Sequence, residues 1–114
     1  MNSAKKNVTF RNMDHSAVIN DHVHKQFERL EKFLDQERTP ISIDMIIEAK
    51  PIHSHHIVEL RINTPHFHEV VKDEGSDMYL VIDSVINAMC TRLSRDKKRM
   101  LDERKNNKKP SMID

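Results

Sequence analysis

The 114-residue sequence contains one cysteine, one glycine and no tryptophan. Cys90 cannot form an intramolecular disulfide on its own, and a single glycine cannot build a glycine-rich phosphate loop. No segment approaches the roughly 18 consecutive apolar residues of a membrane span, and the N-terminus lacks the apolar core of a secretory signal. The length leaves no room for a two-domain enzyme. We therefore expect one soluble, cytoplasmic and highly charged domain that is monomeric in isolation and has no membrane partner.

Charge is unevenly distributed along the chain. Residues 92–109 contain nine lysines or arginines and three acidic residues, a net charge of +6, whereas the remainder contains ten basic and fifteen acidic residues, a net charge of −5. The formal charge of the whole chain, +1, hides this asymmetry. Segregated charge favours a polyanionic partner, although a basic helix that is simply solvated explains the charge alone equally well.

The N-terminal half of the sequence predicts a strand followed by a helix. Val8 and Phe10 alternate with polar residues, which indicates a short strand. Ser16 is suited to cap a helix that we expect to end before Thr39 and Pro40. The helical spacing of apolar residues predicts a buried stripe formed by Ile19, Val23, Phe27, Leu30 and Leu34.

Three strands and a long helix are predicted for the remainder. Alternation is clear over 41–48 and 58–63 and weaker over 67–72. Gly75 interrupts the chain before Asp77, which is suited to cap the last helix. The predicted buried face of that helix comprises Met78, Ile82, Val85, Ile86, Met89 and Leu93.

The predicted order of elements is βαβββα. Strands in succession beside separate helices are typical of an α+β fold, here a four-stranded, mostly antiparallel sheet with both helices packed on one face. We predict a loose N-terminus at 1–6, a folded domain at 7–101 and a short, basic, disordered tail at 102–114.

Both predicted helices carry basic residues beside their apolar stripe. The first has Lys25, Arg29 and Lys32 in one arc, and the second has Arg92, Arg95, Lys98 and Arg99. If these flanks face each other, they form a basic groove suited to a phosphate backbone. The alternative is that they are ordinary charged helix flanks, supported by pairs such as Glu28 and Lys32.

Five histidines, at 53, 55, 56, 66 and 68, raise the hypothesis of a metal site. A strand of about ten residues at ~3.3 Å each separates positions 55 and 66, so we expect these two groups at opposite ends of a hairpin. Surface histidines without a metal are therefore the favoured interpretation, with pH-dependent RNA contacts as another. We predict no catalytic residue, metal site or cofactor.

Several segments resemble the family of ribosome hibernation promoting factors and ribosome-associated inhibitors, also called the sigma-54 modulation protein family. The resemblance covers residues 8–101, and its most specific part is the Asp-Met-Tyr opening of the second helix. The matching segments are MDHSAVI at 13–19, HV at 22–23, LEKF at 30–33, INTP at 62–65 and DMYLVIDSVI at 77–86.

The resemblance implies a βαβββα domain that occupies the small ribosomal subunit where mRNA and the A-site and P-site tRNAs otherwise bind. Such proteins silence translation in starved or stationary cells without chemistry, and basic residues of both helices hold the ribosomal RNA. Arg29, Arg95 and Arg99 match basic positions of the family, and Lys32 is basic in some members. Ala88 and Thr91 stand where relatives commonly carry Lys and Arg.

The resemblance also implies partners. The expected partners are the small subunit with its 16S-type RNA and whole ribosomes. Since the chain stops soon after the second helix, we expect the short form of the family, which lacks the C-terminal domain through which long members pair ribosomes and cooperates with a separate ribosome-dimerising factor. The alternatives are a free-standing double-stranded RNA-binding module and a histidine-rich metal-binding protein.

Overall fold

Four strands and two helices make up the fold in a computed structural model, which describes residues 4–51 and 54–108. The elements are β1 (Lys5–Arg11), α1 (Ala17–Phe33), β2 (Ser42–Lys50), β3 (His55–Asn63), β4 (His68–Gly75) and α2 (Met78–Lys108). The sheet order is β1-β2-β3-β4, with β1 parallel to β2 and the other two pairings antiparallel. This architecture confirms the predicted α+β fold.

One face of the sheet forms the floor of the hydrophobic core. Side chains alternate between the two faces of a strand, so every second residue of β2 and β3 points toward the helices. Met45 and Leu60 are opposite each other in the register, and both are fully buried. Burial of a side chain of this size contributes about 1.5–3 kcal/mol. The fully buried residues of the two central strands are Ile43, Met45, Ile47, Val58, Leu60 and Ile62.

Helix α1 begins as the sequence predicts and ends earlier. The Oγ atom of Ser16 accepts a hydrogen bond from the Ile19 N–H at 3.2 Å, which confirms the predicted cap. The helix ends at Phe33, because Leu34 leaves the helical conformation and donates its N–H to the carbonyl of Glu31 at 3.1 Å. The predicted end near Thr39 and Pro40 was therefore wrong. A proline sets the last position a helix can reach, and the chain turns before it.

Helix α2 begins at its predicted cap and extends beyond the predicted domain boundary. Asp77 Oδ1 accepts hydrogen bonds from the N–H groups of Tyr79 and Leu80 at 3.1 and 3.3 Å. The helix continues through 102–108, part of the predicted tail, because that segment contains neither glycine nor proline before Pro110. Strand β1 likewise includes two residues of the predicted loose N-terminus. The remainder of both predicted ends, residues 1–3 and 109–114, lies outside the described residues.

The two helices run in the same direction and contact each other along one seam. His22 Nε2 lies 3.0 Å from Asp83 Oδ1, and the His22 ring meets the Tyr79 ring edge-on with their centroids 5.1 Å apart. Further along, Arg29 reaches Asn87. Within the described ranges, neither helix is apolar enough over a sufficient length to cross a membrane. The seam fixes which helix surfaces remain accessible to a partner.

Candidate nucleic-acid interface

The α1 row, defined as Lys25, Arg29 and Lys32, lies exposed on α1. Arg29 Nη1 donates to Gln26 Oε1 at 3.1 Å, and Nη2 donates to Asn87 Oδ1 at 2.8 Å. Both acceptors are neutral amides, so they orient the guanidinium without neutralising its charge. The arrangement presents an oriented cation at the seam between the helices.

One acidic residue of α1 points away from the α1 row. Glu31 is directed toward β1, where Lys6 Nζ lies 3.4 Å from its carboxylate. The side of the helix that carries the α1 row is therefore separated from the side that carries Glu31. Glu28, which is exposed three residues after Lys25 and four before Lys32, is the acidic residue of α1 that lies beside the α1 row.

The α2 row, defined as Arg92, Arg95 and Arg99, is also exposed, as is Lys98. Unlike Arg29, Arg92 has an acidic neighbour, because its Nη1 lies 3.3 Å from Glu69 Oε1 on β4. The α2 row thus follows the margin of α2 that lies above β4. Helix α2 is the longer of the two helices, and its basic residues continue into its C-terminal half.

The two rows do not face each other across the seam. Asn87 marks the side of α2 that faces α1, and Arg92 marks the side that faces β4. These two positions are five residues apart, which corresponds to a rotation of about 140° around the helix axis. The α2 row is therefore turned away from the α1 row, whereas Lys98, eleven residues after Asn87, lies about 20° from Asn87 on the side of α2 that faces α1.

A pair of carboxyl groups lies beneath the α2 row. Asp96 lies one helical turn after Arg92, whose guanidinium contacts Glu69, and the carboxyl groups of Glu69 and Asp96 come close enough to shift each other's pKa. The Oδ2 atom of Asp96 is buried and accepts no hydrogen bond from any donor in the described part of the chain. A buried carboxylate oxygen without a donor is unfavourable, which is the physical reason why burial raises the pKa of Asp96.

The pKa values of the two groups move in opposite directions. Burial, the hydrogen bond to Glu69 and the negative charge of Glu69 raise the pKa of Asp96 to about 6. The hydrogen bond from Asp96, followed by the nearby Arg92, lowers the pKa of Glu69 against the effect of burial. Sequence reasoning missed this pair, because nothing in the pattern of β4 or α2 indicates that these two positions meet.

Two positions on α2 lack the basic side chains that the family resemblance implies. Ala88 and Thr91 are exposed, and the Thr91 hydroxyl donates to the carbonyl of Asn87 at 3.2 Å. Both lie on the accessible surface of α2. Arg92 lies one helical turn after Ala88 and supplies a cation to the helix surface on which Ala88 lies.

The histidines of the β3–β4 hairpin are separated in space. His55 pairs in the register with Lys50 at one end of β3, and Asn63 pairs with His68 at the other. Each end has its own acidic contact: His55 lies 3.0 Å from Glu74, and His66 lies 2.9 Å from Glu37. Within residues 4–51 and 54–108, no group of three or more potential ligands could hold a metal ion. His53 of the metal hypothesis lies outside the described residues.

Comparisons with known proteins agree with this fold. A structure of a ribosomal subunit interface protein from Coxiella burnetii is 21% identical, has a TM-score of 0.70 and covers 82% of this chain and 98% of its own. The N-terminal domain of Protein Y from Thermus thermophilus is 21% identical, with a TM-score of 0.67 and coverage of 79% and 93%. A ribosome hibernation promoting factor from Klebsiella oxytoca is 24% identical over 94 residues, which are 82% of this chain and 94% of that protein.

The order of elements and the sheet topology define an α+β domain of the βαβββα type. The family model described as Sigma 54 modulation protein / S30EA ribosomal protein matches residues 6–101. The chain belongs to this family of ribosome-associated proteins, and its members are not enzymes. The family resemblance recognised in the sequence is thereby confirmed.

Proposed function

We propose that this protein is a ribosome hibernation factor that binds the small ribosomal subunit in the channel for mRNA and the A-site and P-site tRNAs. It would block translation under stress or in stationary phase. The observation that carries the proposal is the pair of exposed basic rows on one helical layer of a chain in this family. The proposed RNA-binding residues are Lys25, Arg29, Lys32, Arg92, Arg95, Lys98 and Arg99.

The proposed mechanism is occlusion. Lysine and arginine side chains neutralise RNA phosphates and release counterions, which gives affinity without a requirement for base recognition. Arg29 supports this role because its contacts with Gln26 and Asn87 orient it before RNA arrives. A rigid domain held in the channel excludes mRNA and tRNA by volume, so no chemical step is needed.

The protein would act on 16S-type ribosomal RNA in small subunits and on whole ribosomes. Pairing of ribosomes would require a separate dimerising factor. The proposal therefore predicts inhibition of translation by this chain alone, with no need for ribosome dimers.

Co-sedimentation tests the proposal. Purified protein is mixed with separated small subunits, large subunits or whole ribosomes at low and at high salt. We expect pelleting with small subunits and whole ribosomes, little pelleting with large subunits, and a logarithmic salt slope of about −0.7 to −0.9 for each phosphate that the protein neutralises. No pelleting with any ribosomal particle would contradict the proposal.

Competition by a naked RNA duplex separates this function from that of a general double-stranded RNA-binding module. A ribosome-specific factor should be displaced from small subunits only by a large excess of duplex. Displacement by duplex at the same RNA concentration as subunits would favour the module instead, because such modules recognise A-form shape in any sequence context.

A further inference from the structure

The carboxyl pair of Glu69 and Asp96 places a proton-binding group inside the candidate interface. The Glu69 side chain is 18% exposed, and Asp96 Oδ2 is buried without a donor among the described residues. Two carboxylates in contact repel each other, so such a pair retains one shared proton over a wider pH range than an isolated carboxyl group. The net charge beneath the α2 row therefore changes when this proton is released.

The charged groups that surround the pair come chiefly from α2. On β4, Glu69 contacts Arg92 at 3.3 Å. The residue opposite Glu69 on β3 is Ile62, which is fully buried and carries no charge. In the connection between β3 and β4, His66 pairs with Glu37 at 2.9 Å and is engaged there. The cations that act on the pair are Arg92, Arg95 and Arg99, the whole α2 row.

We propose that proton binding by the Glu69–Asp96 pair regulates the RNA affinity of the α2 row, so that the protein binds the ribosome more tightly as the pH falls. This inference rests on the proposed function, because its ligand is the phosphate backbone that the row would hold. The regulated site and the proton site share the same arginines.

The direction of the effect follows from charge. Above the pKa of Asp96, about 6, both groups are ionised, and below it the pair carries a single negative charge. Phosphates are repelled less by the protonated pair, so RNA binding and proton binding favour each other. Linkage makes the effect reciprocal: a tenfold gain in RNA affinity corresponds to a rise of one unit in the pKa of the pair on binding.

An isosteric substitution provides the test. Asp96→Asn keeps a donor to Glu69 and cannot ionise, so it holds the pair in the charge state of its protonated form. Binding of full-length protein to purified small subunits is measured at about pH 7.5 and about pH 5.5 at one ionic strength. We expect wild-type affinity to rise about tenfold on acidification, and Asp96→Asn to bind about tenfold more tightly than wild type at the higher pH.

Acidification acts on the whole protein and on the ribosome, so the decisive quantity is the difference between the two proteins. Asp102→Asn is the matched control, because Asp102 is an exposed carboxylate on the same helix and its substitution removes the same charge. This control should retain the full pH dependence of the wild type. An Asp96→Asn variant that binds small subunits with the wild-type pH dependence would overturn the inference and leave the proposed function standing.

A titration of the free protein separates failure of the inference from failure of the proposed function. The carboxyl carbon of Asp96, followed by NMR, should titrate with a midpoint of about 6. A midpoint near the ordinary value of 3.8 would overturn the inference whatever the ribosome experiments give. Loss of binding to small subunits in wild type and both variants would overturn the proposed function, and the inference with it.

Discussion

The α1 row and the α2 row use the same types of side chain in different electrostatic surroundings. Arg29 donates to two neutral amides, those of Gln26 and Asn87, and keeps its charge available. Arg92 instead lies beside the carboxylate of Glu69, which partly neutralises it before any RNA binds. The number of basic residues on a helix is therefore a poor measure of its contribution to phosphate binding, and the neighbours of each residue decide how much charge it offers.

Removal of the whole α2 row gives the largest expected effect. Combined replacement of Arg92, Arg95 and Arg99 by alanine should lower affinity for small subunits at least a hundredfold, because hydrogen bonds to charged groups contribute about 1.5–3 kcal/mol each. The magnitude of the salt slope should fall by about three, since three phosphates would no longer be neutralised. Binding curves at several salt concentrations give both quantities.

A matched triple variant controls for net charge. Arg11, Arg61 and Lys72 are exposed cations whose register places them on the face of the sheet opposite the helices. Their combined replacement by alanine removes the same charge and should change affinity less than about threefold. Equal reductions in affinity for the two triple variants would mean that overall charge, and not the helical layer, determines binding.

Single substitutions compare the two rows directly. Arg29→Ala should weaken binding to small subunits about tenfold, and Arg92→Ala about threefold, because only Arg92 has a carboxylate neighbour that reduces its effective charge. Titration of each variant against small subunits measures the ratio. A larger reduction in affinity for Arg92→Ala would show that the ion pair with Glu69 positions this arginine more than it neutralises it.

Asn87→Asp gives Arg29 the kind of neighbour that Arg92 already has. The new carboxylate would replace the Oδ1 acceptor that lies 2.8 Å from Arg29 Nη2, so we expect about a fivefold loss of affinity for small subunits. Asn87→Ala removes the acceptor without adding charge and serves as the control. If the two variants weaken binding to the same extent, the loss comes from the missing orientation of Arg29 and not from the added carboxylate. That result would remove the basis of the comparison between the rows.

Local signals in the sequence predicted the fold, whereas the arrangement of the interface depended on contacts between distant segments. Ser16 and Asp77 cap their helices because a side-chain oxygen reaches N–H groups two or three residues ahead, a relation visible in the sequence. Alternation likewise indicated which strand residues are buried. The separation of the two rows could not be predicted, because helical spacing gives angles within one helix and not the rotation of one helix relative to another.

The same limit applies to the pair of carboxyl groups. Glu69 follows the alternation of β4 and Asp96 follows the periodicity of α2, so each residue is placed on a face by its own element. Only the packing of α2 against β4 brings the two side chains together. The sequence presents both as ordinary acidic residues, and burial of the Asp96 Oδ2 atom becomes apparent only in three dimensions.

The smallest expected effect is on stability, and it tests the carboxyl pair without RNA. Because the folded-state pKa of Asp96 is raised from 3.8 to about 6, its contribution to stability is fully present below the unfolded-state pKa and is lost as the pH rises through about 6. The lowered pKa of Glu69 acts in the opposite direction only at more acidic pH. Wild type should therefore lose stability relative to Asp96→Asn between about pH 5 and about pH 7.5, by less than about 1 kcal/mol because solvent screens this partly exposed group. Urea unfolding of both proteins at the two pH values measures the difference, and a constant difference would mean that Asp96 titrates as an ordinary surface carboxylate.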